Sequence, residues 1–185
     1  MSMMGESFDS ALAAARLGSD WAWRVLYESV APSVRSYLSF RGSDDPDGLV
    51  GDVFLAVAQG IGTFEGGADA FRSWVFSIAH ARLVDERRKR ARRRTDSTDS
   101  LDLAGIPDQS NVEAEVLGRF SSERVIELFS VLSPDQRDVL ALRIVADLSL
   151  EETASILGKR VGAVKVLQHR GLSRLRKLTK EGVTI

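Results

Sequence analysis

The residues of this chain best suited to chemistry are cations at close spacing. Between positions 87 and 94 stand Arg87, Arg88, Lys89, Arg90, Arg92, Arg93 and Arg94, interrupted only by Ala91. Such a run repels itself unless solvent or a polyanion relieves it. A solvated helix end, its cations favoured by the helix dipole, is the plain reading. Nucleic acid is the sharper one, because each phosphate neutralised releases condensed counterion. A second set follows near the C-terminus, where Lys159, Arg160, Lys165, Gln168, His169 and Arg170 occur with no acid among them. On a helix whose first turns enter the major groove, Lys or Arg pairs with guanine and Gln with adenine. Arg160, Ala163, Lys165 and Gln168 are therefore candidate base readers, with His169 and Arg170 on the same outward surface. Arg174 and Lys177 suit phosphate or solvent. A basic amphipathic helix alone could equally meet a protein partner or a membrane surface, so what precedes it matters.

Apolar periodicity supplies the elements that would position these cations. Phe71, Trp74, Val75, Ile78 and Ala79 follow the spacing of one buried helix face and lead straight into the basic run. Upstream, Ser7 is suited to cap a first helix carrying Phe8, Leu12 and Ala15, with Gly18 as its stop. Trp21, Val25, Leu26 and Val30 predict the inner face of a second helix, and Pro32 predicts a kink or a fresh start. A helix through Val34, Tyr37 and Leu38 then ends at Arg41-Gly42. Pro46 opens another to about Gln59, with Leu49, Val50, Val53, Phe54 and Val57 on one stripe and Asp52 off it. Phe64 is the one aromatic of a Gly-rich connection, a place where rings either pack down or face a ligand.

From Thr95 the texture turns acidic, and a second helical domain begins near Leu117, with Phe120, Val125, Leu128 and Phe129 on its first helix. Ser133-Pro134 reads as a cap with proline at the first helical position, and Val139, Leu140, Leu142 and Arg143 precede a turn at Ala146-Asp147. Ser149 and Glu152 form a capping box, and Gly158 closes the short helix they open. A longer basic helix follows, its Val161, Val164, Leu172, Leu175 and Leu178 facing inward. Two helices joined by such a turn make a helix-turn-helix. No strand pattern is present, so the fold expected is all-α: two small helical domains joined by an acidic flexible linker.

Composition narrows the function classes. The 185 residues are 44% hydrophobic, enough for real cores, and 25 Lys and Arg against 26 Asp and Glu give a net charge of -1 that hides strong segregation. There is no cysteine, and two histidines cannot form a metal cluster alone. No apolar run of about 18 residues occurs, and the N-terminus lacks the pattern of a signal peptide. A soluble cytoplasmic protein is expected. Phosphate-loop, HExxH and GxSxG motifs are absent, so no catalytic residue, cofactor or metal is expected.

The segments GLVGDVFLAV (48-57), AFRSWVFSIAHARLVDERRKRARR (70-93), LSPDQRDVLALRIVADLSLEETASILG (132-158) and VGAVKVLQHRGLSRLR (161-176) together resemble the extracytoplasmic function (ECF) sigma factors of the sigma-70 family. The resemblance covers nearly the whole chain and implies a specificity subunit of bacterial RNA polymerase. It implies a domain over 1-94 that binds the polymerase clamp helices through Asp52 and reads and melts the -10 element. Phe64 and His80 would hold a base flipped from the stack, which costs a few kcal/mol, and Arg87, Arg88, Arg90 and Arg92 would hold the backbone. Residues 95-116 would be the acidic linker, threading the nucleic-acid channel. A domain over 117-185 would bind the polymerase flap and read the -35 element. An anti-sigma factor is a further partner the resemblance allows. The chain departs from the family pattern at His80, where Asn is common, at Arg160, where Ser or Thr often caps, and at Val166 and Gln168. A stand-alone helix-turn-helix regulator is the rival reading.

Overall fold

Polar caps and glycines mark several helix ends in the computed structural model, which describes residues 3–96 and 131–180, with side chains from 8 to 93 and from 131 to 177. Among these residues every regular element is helical. Helix α1, Met3–Arg16, buries Ala11, Leu12 and Ala15. It starts earlier than the expected cap at Ser7, running through Gly5 with Ser7 inside the helix. Gly18 ends it at φ +80, with the Gly18 and Ser19 amides bonded back to the carbonyls of Ala15 and Ala14.

Helix α2, Asp20–Phe40, runs unbroken through Pro32, so the proline opens no fresh helix. The proline removes one backbone donor, but Val30 and Ala31 before it and Val34, Tyr37 and Leu38 after it are all buried on one side. Continuous burial on both flanks outweighs the lost bond. The buried stripe is Ala22, Leu26, Val30, so Trp21 and Val25, expected to face inward, lie beside it, 55% and 41% exposed. Arg41-Gly42 ends the helix as expected, with Gly42 at φ +76.

Helix α3, Pro46–Gly60, starts with the Asp45 carboxylate accepting the Gly48 amide at 2.8 Å and proline in the first turn. Val50, Val53 and Val57 are its buried stripe. Helix α4, Ala68–Asp96, is one element from the apolar stripe to the end of the basic run. Phe71, Val75, Phe76, Ala79 and Leu83 are fully buried, and each large side chain so buried stabilises by about 1.5–3 kcal/mol. Its last two residues overlap the expected linker. The rest of that linker, and the helix expected through Leu117, Phe120, Val125, Leu128 and Phe129, lie outside the described residues.

In the second part, α5 (Pro134–Leu140) begins with a capping box of Ser133 and Gln136. A π-helical segment, Ala141–Val145, follows it directly. The chain then turns through Asp147 at φ +52. Helix α6, Leu150–Leu157, opens with the Ser149–Glu152 capping box and closes on Gly158 in the left-handed conformation, φ +61. Helix α7, Val161–Lys180, buries Val164 and sets Gly171 against α5 so closely that a Cβ there would lie 2.9 Å from Leu140 Cδ1. Val161, expected inward, is 39% exposed and lies outside the small core of Val139, Ala154 and Val164.

The two parts are in contact. Ala141, Leu142, Ala146 and Leu148 belong to the same apolar cluster as the cores of α1 to α4. Arg41 on the first part is ion-paired with Asp138 on the second, their side chains 1% and 16% exposed. Arg72 Nε donates to the Ala146 carbonyl at 2.6 Å.

Candidate nucleic-acid interface

The cations at the end of α4 divide by helix face. Leu83, Arg87 and Arg90 share the inward side at spacings of four and three. Arg87 Nη2 donates to the Arg41 carbonyl, and Arg90 pairs with Asp44 at 2.5 Å and reaches the Gly42 carbonyl at 3.4 Å. Both therefore brace the turn between α2 and α3. Arg88, Lys89, Arg92 and Arg93 point outward and are exposed. Arg88 stands 3.5 Å from Asp85 in a pair open to solvent, 71% and 54% exposed, which holds it only weakly. The outward set is the one free to meet a phosphate backbone.

Phe64 and His80 occupy different surroundings. The Phe64 ring is 9% exposed and stacked on Trp74, centroids 4.9 Å apart, with its edge toward Phe71. In this conformation the ring packs down and presents no open face. His80 meets α2 instead, its Nδ1 2.9 Å from Tyr37 Oη. Burial pushes the Tyr37 phenol well above its usual range, Asp138 adding to the effect. The phenol thus keeps its proton and donates, and Nδ1 accepts. Burial also lowers the pKa of His80, with Asp138 opposing and Arg41 and Arg87 assisting. The imidazole is neutral with its proton on Nε2, a donor edge suited to a base carbonyl or ring nitrogen. In the sequence, Tyr37 is legible as a stripe residue and Arg41 as a helix end, whereas Asp138 has no assigned role.

Asp52 is exposed on α3, off the buried valine stripe as expected. One turn on, Leu55 is 60% exposed on the same side. This apolar neighbour is readable in the sequence as a leucine between stripe positions.

Arg160, just before α7, and Ala163, Lys165, His169 and Arg170 on it are exposed, while Gln168 is half-buried. Arg143 Nε donates to Gln168 Oε1 at 3.3 Å, and the same guanidinium bonds the Leu148 carbonyl. Gln168 thus sits on the inward shoulder of the helix, tied to the π segment. His169, Arg170, Ser173, Arg174 and Lys177 line a shallow cationic groove along the outward face. The capped α6, the glycine turn and α7 complete the helix-turn-helix expected from the sequence.

The described residues thus form two helical parts, each with an outward cationic helix. The family model for sigma-70 region 2 matches residues 26–93 and that for sigma-70 region 4 matches residues 128–177. The ECF RNA polymerase sigma factor SigD of Mycobacterium tuberculosis is 34% identical over 95% of this chain and 85% of its own length. SigX of Bacillus subtilis, also an ECF RNA polymerase sigma factor, is 31% identical over 84% and 82%. The sigma factor RpoE of Bartonella quintana, solved in complex with the anti-sigma factor NepR, superposes with a TM-score of 0.69 at 27% identity, over 86% of this chain and 96% of that one. The chain belongs to the ECF RNA polymerase sigma factors. It acts with RNA polymerase in promoter-specific transcription initiation. No described helix is long and apolar enough to cross a membrane.

Proposed function

We propose that two separately built cationic faces divide promoter recognition between the ends of the chain. Residues 1–94 dock on the polymerase clamp through the outward side of α3, with Asp52 as a charge-assisted acceptor and Leu55 beside it. The same domain melts and reads the -10 element. His80 offers its Nε2 proton to an extruded base, Phe64 acts through the Trp74 ring it stacks on, and Arg88 and Arg92, with Lys89 and Arg93, hold phosphate. Arg87 and Arg90 act indirectly by bracing the helix. Residues 95–116 form the acidic linker that follows the nucleic-acid channel. Residues 117–185 bind the flap and read the -35 element through α7, with Arg160, Ala163, Lys165, His169 and Arg170 on the DNA side and Gln168 positioned at its shoulder by Arg143.

The observation that carries this reading is the pairing of the outward α4 cations with the acid-free α7 face in one chain. The chain contributes no catalysis of its own and works in the cytoplasm, where the polymerase is. The Bartonella relative was solved with an anti-sigma factor, and a partner of that class is part of the proposal.

In vitro transcription on a pooled promoter library tests it, with the chain alone, core polymerase alone, or both. Initiation at a shared pair of spaced elements only with both present is the expected result. Specific DNA binding by the chain alone, with no polymerase-dependent initiation, supports a stand-alone regulator and overturns the polymerase contacts.

A further inference from the structure

In its first turns, at Gly162 and Val166, the outward face of α7 is short at its centre and long at its edges. Nothing lies within 4 Å of where a side chain on Gly162 would start. Val166, one turn on, is 48% exposed and belongs to neither apolar cluster. Successive helical residues turn by about 100°, so Gly162, Val166, His169 and Ser173 run along the middle of this face. Lys165 lies to one side, and Arg170 and Lys177 to the other. A long side chain at the centre would hold the helix away from a groove floor. Glycine and valine let it approach while the flanking cations reach outward to phosphate.

Exposed single apolar residues are common on protein surfaces and ordinarily need no explanation. Val166 differs by its place. It is β-branched, which lowers helix propensity, it is left 48% exposed, and on this face it is flanked by Lys165, His169 and Arg170. Its only chemistry is apolar contact. Among the base edges in the major groove, thymine alone of the four standard bases carries an apolar group, the C5 methyl.

We propose that Val166 is a specificity-determining residue that reads a thymine methyl in the upstream promoter element, with Gly162 permitting the close approach. This rests on the reading of α7 as the -35 recognition helix. The contact removes one methyl group and part of a valine from water, so it discriminates by a small factor.

The test uses the chain assembled with core polymerase on a promoter recovered from the pooled library. Each thymine of the upstream element, on either strand, is replaced singly by deoxyuridine, which lacks only the methyl. The affinity of the promoter complex is expected to fall about fourfold at one thymine or two adjacent ones. Val166→Ala, which favours the helix, is expected to bind the all-thymine promoter more weakly by a similar factor and to be indifferent to deoxyuridine there. The proposal is overturned if deoxyuridine is tolerated at every upstream thymine, or if Val166→Ala still discriminates at the same position. Lys165→Ala and Arg170→Ala separate the two levels. If both variants keep wild-type affinity for the upstream element, α7 is not the reading helix and both readings fall. If they weaken it while deoxyuridine has no effect, only the role of Val166 falls.

Discussion

Burial sets the protonation of His80. Its folded-state pKa lies below the ordinary value of 6.5 because the ring is desolvated, while the unfolded chain titrates normally. Between those two values the unfolded state binds more protons, so stability rises with pH across that window. The contribution is complete above about pH 6.5 and is lost as pH falls from there toward the folded value. Urea unfolding of wild type and His80→Gln, compared from pH 7.5 to 5, should show a decline in the wild type that the glutamine variant lacks. Equal pH dependence in both would mean that burial does not keep the ring neutral. The sequence showed His80 as a departure from a pattern. It could not show Tyr37 as its partner, because the two stand 43 residues apart and meet only when α2 packs on α4.

Helices were legible where their determinants are local. Asp45-Pro46, Ser133-Pro134 and Ser149–Glu152 each carry a cap within three residues, and each opens a helix in the structure. Ser149→Ala should cost about 1 kcal/mol in thermal or denaturant unfolding. Helix ends decided by packing were not legible: α2 passes Pro32 because flanking residues are buried, and Trp21 and Val25 lost the inner face to Ala22 by one position. The basic run of α4 shows the same limit. Seven neighbouring cations look alike in sequence, yet only the face that continues Leu83 is drawn into the fold. Replacing Arg88, Arg92 and Arg93 by Ala should therefore lower the log-log salt slope of promoter opening by about 0.9 for each lost phosphate contact, with little change in stability. Arg87→Ala and Arg90→Ala should do the reverse. A slope unmoved by the first set would remove α4 from the DNA. On α7, Gly171→Ala should destabilise the second domain by about 1–3 kcal/mol, since its Cβ meets Leu140.

The contact between the two parts of the chain depends on a buried charge. Arg41 Nε has no hydrogen-bond partner, and burial pulls the guanidinium pKa below its usual range, with Asp138 the main opposing influence. Removing one partner of such a pair costs about 3–5 kcal/mol if the other stays buried. Here the chain has an escape, because separating the two parts rehydrates Arg41, so the loss is capped at the free energy of their docking. The chain has no cysteine, so dyes attach only where cysteines are introduced, for example at the exposed positions Asp9 and Ser155. Asp138→Asn should lengthen the mean distance between such dyes. A distance distribution identical to that of wild type would show that the ion pair does not hold the parts together.

The surface that joins the parts, Ala141, Leu142, Ala146 and Leu148 against the larger core, is mostly hydrocarbon. Exposing hydrocarbon raises heat capacity, and the drive to bury it weakens on cooling. The docking of the two parts is therefore a thermometer as well as a joint: the same chain holds its halves together more firmly in warmth than in cold, before any partner is added.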